Sequence, residues 1–140
     1  MKKKKIIFNA DDLGMGKDID RGILLAATEN LIQSVSVSVI NGLSKEVVSR
    51  YREHPGFEKL SVGLHLNLTE GLPLTETFKG CNSAFKLLAA EDSLDEKILY
   101  EEMKSQFEHF INLFNEVPCH IDCHQHFSFL SPKSFLAMLL

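Results

Sequence analysis

The sequence has few cysteines, and it has no long apolar run, no low-complexity tract and no excess of positive charge. Three cysteines, an odd number with no Cys-x-x-Cys pair, argue against a disulfide scaffold and favour reduced thiols in the cytoplasm. No segment approaches the ~18 apolar residues of a membrane span. A net charge of −4 gives no electrostatic basis for binding nucleic acid. We therefore expect a cytoplasmic globular protein with no nucleic-acid or membrane partner.

The 140 residues, 44% hydrophobic and 24% charged, suit a single domain over residues 1–140. Hydrophobic periodicity and turn signals divide them into alternating strands and helices. The predicted order is strand 4–10, helix 18–30, strand 34–40, helix 44–54, strand 60–68, an irregular stretch 70–90, a helix from a Ser93 capping box to 115, strand 119–127 and a helix capped by Ser131. This alternation predicts an α/β fold with a parallel sheet, either an open doubly wound sheet or the first four units of a (β/α) barrel.

The predicted strand 119–127 carries a ligand-type residue at every second position. These residues are His120, Asp122, His124 and His126. Side chains at alternate positions of a strand share a face, and imidazole and carboxylate are common ligands of zinc and similar ions. The alternative is a strand edge whose polar face meets water, which fits poorly with the apolar residues that follow.

Further polar residues fall late in, or just after, other predicted strands. They are Asp11 and Asp12 after the first strand, and His65 and Asn67 late in the third. The carboxyl ends of parallel strands meet at one edge of a sheet, so these residues and the fourth-strand histidines are expected to converge there.

A catalytic metal site needs three protein ligands and an open position, and Asp12, His65 and His124 meet that need. A bound divalent ion acidifies water and polarises a carbonyl. Asp11 is the candidate general base, and His126 or a residue outside this chain is the candidate general acid. Together these parts predict hydrolysis of an amide or ester.

Three blocks of the chain, residues 9–14, 63–69 and 120–126, resemble the signature blocks of the YdjC-like carbohydrate deacetylases. The resemblance implies a deformed (β/α) barrel, a divalent cofactor (Mg²⁺ or Zn²⁺) and a small-molecule N-acetylated sugar as substrate. It implies the metal ligands Asp12, His65 and His124 and the catalytic base Asp11. Further candidates for contact with the substrate or support of the ligands are Asn67, Asp122 and His126.

The chain departs from that family in two respects. Gln125 and Ser128 stand where family members often have histidine, and family members are much longer, so we expect this to be the amino-terminal portion. An alternative function is therefore a truncated, inactive metal-binding or assembly fragment, with a homodimer as one form. A zinc-storage role for Cys119 and Cys123 is disfavoured, because their spacing places them on the strand face opposite the histidines.

Overall fold

A computed structural model describes residues 4–80 and 83–138. Its elements are β1 (Asn9–Leu13), α1 (Lys17–Thr28), β2 (Ser34–Val37), α2 (Lys45–Arg52), β3 (Ser61–Leu66), α3 (Ala84–Ala89), α4 (Glu96–Phe114), β4 (Ile121–Cys123), α5 (Phe127–Leu130) and α6 (Pro132–Met138). Short 3₁₀ turns occupy Phe57–Lys59, Glu91–Ser93 and His124–His126. The third cysteine, Cys81, and the last two leucines of the predicted terminal helix lie outside the described residues.

The four strands form one parallel sheet in the order β1-β2-β3-β4. The predicted α/β fold with a parallel sheet is thereby confirmed. A doubly wound sheet reverses its strand order at a switch point, whereas successive strands of a (β/α) barrel stay in sequence order. The observed order is that of the first four units of a barrel.

One face of the sheet is apolar and forms the core with the helices. Val35, Val37 and Leu64 on this face are fully buried, and Phe110 of α4 packs in the same cluster. The opposite face is polar and small, because Ser34 lies beside Ser61 and Ser36 lies beside Gly63 in the register of β2 and β3. An open groove of about 570 Å³ runs along this polar face.

The first strand begins later than predicted. Residues 4–8 are not in a strand, and Ile6, Ile7 and Phe8 are exposed. The paired residues start with Asn9 and Ser34. Phe8 O accepts the backbone N–H of Gln33, while the N–H of Phe8 donates to the side-chain oxygen of Gln33. Asp11 and Asp12, which were predicted to follow the strand, lie within it.

The stretch predicted to be irregular, residues 70–90, contains α3 from Ala84 to Ala89. The predicted Ser93 cap is also wrong, since Ser93 lies in a 3₁₀ turn and its hydroxyl donates to Ala90 O. Asp95 caps α4 instead, with its Oδ1 accepting Lys97 N at 2.8 Å. The predicted cap at Ser131 is confirmed, because its hydroxyl accepts a first-turn N–H. Ser44, where the second helix was predicted to begin, caps that helix in the same way.

The fourth strand is shorter than predicted and ends at Cys123. Gln125 and His126 take left-handed backbone angles, with φ of 52° and 53°, which stop the strand and turn the chain into α5. The expected single row of four polar side chains therefore does not extend to His126. Within the described residues, no helix combines the length and the apolar character needed to cross a bilayer.

Candidate metal centre

Asp12 reaches the centre because β1 is bulged. The register of β1 against β2 shifts between Ala10 and Leu13, and Asp12 has a φ of 72°. Successive residues of a regular strand point to opposite faces, but an irregularity of this kind re-aims one of them. As a result the neighbouring carboxylates of Asp11 and Asp12 both lie on the polar side of the sheet.

His65 comes from β3 and is almost fully buried, with 2% of its surface exposed. Asp122 lies directly opposite it in the register of β3 and β4, and Asp122 Oδ1 is 2.7 Å from His65 Nδ1. This contact places a proton on Nδ1, so in the neutral ring the lone pair lies on Nε2. Nε2 faces Asp12, whose Oδ1 is 3.1 Å away.

Burial and the neighbouring charges shift the pKa of His65 in opposite directions. Burial lowers the pKa of His65, but the hydrogen bond to Asp122 and the charge of the surrounding aspartates outweigh it, so this pKa is raised. Burial likewise raises the pKa of Asp122, but the hydrogen bond and charge of His65 outweigh burial and lower it. Without a cation these shifts favour an imidazolium–carboxylate pair, and a cation bound at Nε2 would take the place of the Nε2 proton while Nδ1 keeps its hydrogen bond to Asp122.

His124 is the first residue after β4, and its side chain is 12% exposed. Its Nδ1 lies 3.0 Å from Asp12 Oδ1 and 3.3 Å from His65 Nε2. The two imidazole rings meet edge to face, at 79°. Their nitrogens can therefore point to a common position without the rings colliding.

These residues fit a divalent cation. The three atoms Asp12 Oδ1, His65 Nε2 and His124 Nδ1 lie 3.0–3.3 Å from one another. Atoms bound to one ion at about 2.0–2.1 Å stand roughly 3 to 3.4 Å apart, so the observed separations match. All three atoms are acceptors in the state with His65 protonated on Nδ1 and His124 on Nε2, and in that state the three converging lone pairs need a positive charge between them.

Asp11 lies beside this cluster and is held by two donors. Asn9 Nδ2 donates to Asp11 Oδ1 at 2.7 Å, and Ser36 Oγ donates to the same atom at 3.3 Å. Ligand-type atoms of Asp11, His65 and Asp122 also lie within 4.8 Å of one another. Because Asp122 already bonds the Nδ1 proton of His65, a proton rather than a second ion occupies that side of the ring.

The remaining candidates lie apart from the three converging atoms. Asn67 is buried, and its Oδ1 accepts the N–H groups of Thr69 and Glu70 at 3.0 and 2.9 Å, so it shapes the loop after β3. His126 is exposed at the start of α5, past the turn that carries His124. The predicted roles of Asn67 and His126 at the substrate stay predictions.

His120 is not among the described residues whose ligand atoms converge at the centre. Its ring lies against Gly63, where a Cβ atom would come within 2.3–2.5 Å of the imidazole. The alternation of the fourth strand predicted a ligand-type residue here, but the short strand places only Asp122 and His124 at the centre.

Sequence reasoning missed several residues around the site. Glu70 lies 3.5 Å from His124 Nε2, and Ser36 contacts both Asp11 and His65. The buried Glu102 of α4 holds the loop after β3 by accepting the N–H groups of Leu74 and Thr75. A glutamate inside the apolar stripe of α4 was the only sequence signal for this last contact.

Comparison with known proteins places this chain in a family. The sequence model of the family described as YdjC-like protein matches residues 5–140. A chitooligosaccharide deacetylase of Serratia marcescens is 35% identical over 132 residues, which cover 89% of this chain and 50% of that protein. This chain thus spans about half the length of that relative.

A solved structure shares the fold. A protein of Enterococcus faecalis V583, provisionally described as a cellobiose-phosphate cleavage protein, matches with a TM-score of 0.81 at 22% sequence identity. The match covers 99% of this chain and 55% of that one. At this identity the likeness supports the fold alone, which is the partial barrel described above.

Proposed function

Because the chain belongs to the YdjC-like family, we propose that it forms the amino-terminal half of a metal-dependent carbohydrate deacetylase. The enzyme would hydrolyse the acetamide of an N-acetylated sugar. The observation that carries the proposal is the convergence of Asp12 Oδ1, His65 Nε2 and His124 Nδ1 within 3.3 Å of one another. The deacetylase of Serratia marcescens supports the choice of reaction and of substrate class.

In this proposal Asp12, His65 and His124 hold the cofactor. When bound there, a divalent ion supplies positive charge that polarises an amide carbonyl and acidifies a neighbouring water. Two imidazoles among three ligands favour zinc over magnesium, since magnesium prefers oxygen ligands. Asp122 fixes the tautomer of His65, so that Nε2 always faces the centre.

Asp11 is the proposed general base. Its carboxylate lies beside the centre, and the hydrogen bonds from Asn9 and Ser36 orient it. It would take the proton of the attacking water, and the leaving amine would gain a proton from His126 or from a residue outside this chain. The cytoplasmic location remains part of the proposal and is based on the small, odd number of cysteines and the lack of a Cys-x-x-Cys pair in the sequence.

The test is acetate release from N-acetylglucosamine oligomers, with and without a chelator. We expect the chelator to abolish release and metal to restore it. His65→Ala should lower the rate by more than about 100-fold, beyond the 10–100-fold typical of residues that only support ligands. His109→Ala, which changes a histidine on α4, is the matched control. Acetate release that is unchanged by the chelator and by His65→Ala would refute the proposal.

A second candidate function is a fragment that binds metal but turns over nothing. It is favoured by two sheet edges, at β1 and β4, that have no further strand among the described residues. The exposed Ile6, Ile7 and Phe8 leading into β1 also suit association with another chain. This candidate predicts a dimer or larger assembly in size-exclusion chromatography with no acetate release, whereas a monomer with full activity would rule it out.

A further inference from the structure

Each imidazole of the metal centre has a carboxylate behind it. For His65 the carboxylate is Asp122, on the Nδ1 side. For His124 it is Glu70, whose Oε1 lies 3.5 Å from Nε2. The two rings present different nitrogens to the centre: His65 presents Nε2 and His124 presents Nδ1.

The tautomer of His124 follows from which nitrogen faces the centre. If Nδ1 donates its lone pair to a cation, the single proton of the neutral ring must sit on Nε2. Nε2 is buried and has no hydrogen bond of good geometry among the described residues. A buried N–H needs an acceptor, and the carboxylate of Glu70 is placed to become one after a small approach.

Glu70 is held at this position by both neighbouring loops. Its backbone N–H donates to Asn67 Oδ1 at 2.9 Å, in the loop after β3. Its Oε1 accepts Gln125 Nε2 at 2.9 Å, from the turn that follows β4. Its side chain is 46% exposed, so no core packing depends on it.

We propose that Glu70 is a positioning residue for His124, accepting its Nε2 proton when Nδ1 carries the cation, and that Gln125 holds the Glu70 carboxylate in place. A carboxylate in this position fixes the ring orientation and makes the ligand nitrogen more basic. The inference rests on the metal site proposed above. It also gives a role to Gln125, whose side-chain amide donates to the Glu70 carboxylate.

The experiment measures the binding of Zn²⁺ alone to the 140-residue chain by competition with a chromophoric chelator. Glu70→Ala should weaken binding by roughly 10–100-fold, with Glu70→Gln between Glu70→Ala and wild type. Glu29→Ala and Glu29→Gln, which change an exposed glutamate just after α1, should bind within about twofold of wild type. Gln125→Ala should show a smaller loss than Glu70→Ala.

Two further readouts separate positioning from a structural role. The melting temperature of each variant without metal should equal that of the wild type, while the increase produced by zinc should shrink in the Glu70 variants. Long-range ¹H–¹⁵N spectra of the zinc-loaded wild type should place the His124 proton on Nε2. Glu70→Ala should speed the exchange of that proton with water.

Three results would overturn the inference. Equal zinc affinity in wild type and Glu70→Ala would remove any role for the carboxylate, leaving the metal site itself intact. Equal losses of stability with and without zinc would make Glu70 a structural residue only. If the wild type bound zinc no better than His65→Ala, both this inference and the proposed metal site would fail.

Discussion

The backbone at Asp12 determines how two adjacent carboxylates serve one centre. A non-glycine residue at a φ of 72° costs on the order of 1 kcal/mol in backbone strain. The strained residue, Asp12, is itself a candidate metal ligand. The sequence predicted Asp11 and Asp12 as site residues, but strict alternation would have placed them on opposite faces. The bulge that resolves this conflict depends on pairing with β2, which no local pattern reveals.

Gly63 leaves room for the ring of His120, which lies against it. A Cβ atom at position 63 would approach the ring atoms of His120 to 2.3–2.5 Å, so Gly63→Ala should lower the free energy of unfolding by about 1–3 kcal/mol. The loss should be much smaller in a His120→Ala background, where the space is free. Urea unfolding of the two single variants and the double variant measures the coupling. A full loss in both backgrounds would show that His120 is not the obstacle.

At the scale of elements, α1 and α2 are joined by a carboxylate that also holds the loop after β1. Asp20 Oδ2 accepts the hydroxyl of Tyr51 at 2.6 Å, and Asp20 Oδ1 accepts the N–H of Gly14 at 2.7 Å. The predicted helix 18–30 places Asp20 in a first turn, but the sequence could not show the tertiary partners of Asp20. Those partners come from residues six and 31 positions away.

The hydrogen bond between Tyr51 and Asp20 should make the folded state less stable as the pH becomes alkaline. Burial, followed by the hydrogen bond and charge of Asp20, raises the pKa of Tyr51 above its ordinary value. A raised pKa in the folded state gives stability that is present below the unfolded pKa of about 10 and is lost as pH rises beyond it. Between pH 9 and about 11, wild-type stability should therefore fall more steeply than that of Tyr51→Phe in urea unfolding. Parallel pH profiles would contradict this account of the contact.

The helix α4 also anchors the loop that follows β3. Glu102 is fully buried and accepts Leu74 N, Thr75 N and the hydroxyl of Thr75 at 2.7–3.0 Å. Glu102→Ala leaves these donors without their acceptor, so unfolding free energy should fall by about 2–4 kcal/mol. The amides of Leu74 and Thr75 should exchange with deuterium faster. The exposed Glu108 of the same helix provides the control variant, Glu108→Ala, and equal effects of the two changes would refute the anchoring role.

At the scale of the whole molecule, alternation of strands and helices was enough to predict the parallel α/β sheet. It could not choose between an open sheet and a barrel, because that choice depends on strand order, which pairing alone decides. Element ends were less predictable. The sequence gives no local sign that β4 stops at Cys123, since the left-handed turn at Gln125 and His126 falls on residues that rarely take it.

The candidate centre was predictable where ligands share the carboxyl ends of parallel strands, as Asp12, His65 and His124 do. The residues that support these ligands from loops and from α4 were not predictable. Glu70 reaches His124 only because the loop after β3 folds back on Asn67, and Glu102 acts from a helix for which the sequence predicted no contact with that loop.

The most direct test of the central claim is X-ray absorption spectroscopy of the zinc-loaded chain. If Asp12, His65 and His124 bind one ion, the first shell of the wild type contains two imidazoles with nitrogen and oxygen atoms at about 2.0–2.1 Å. His65→Ala should then show one imidazole. A wild-type spectrum without imidazole scattering, or one that His65→Ala leaves unchanged, would contradict the account.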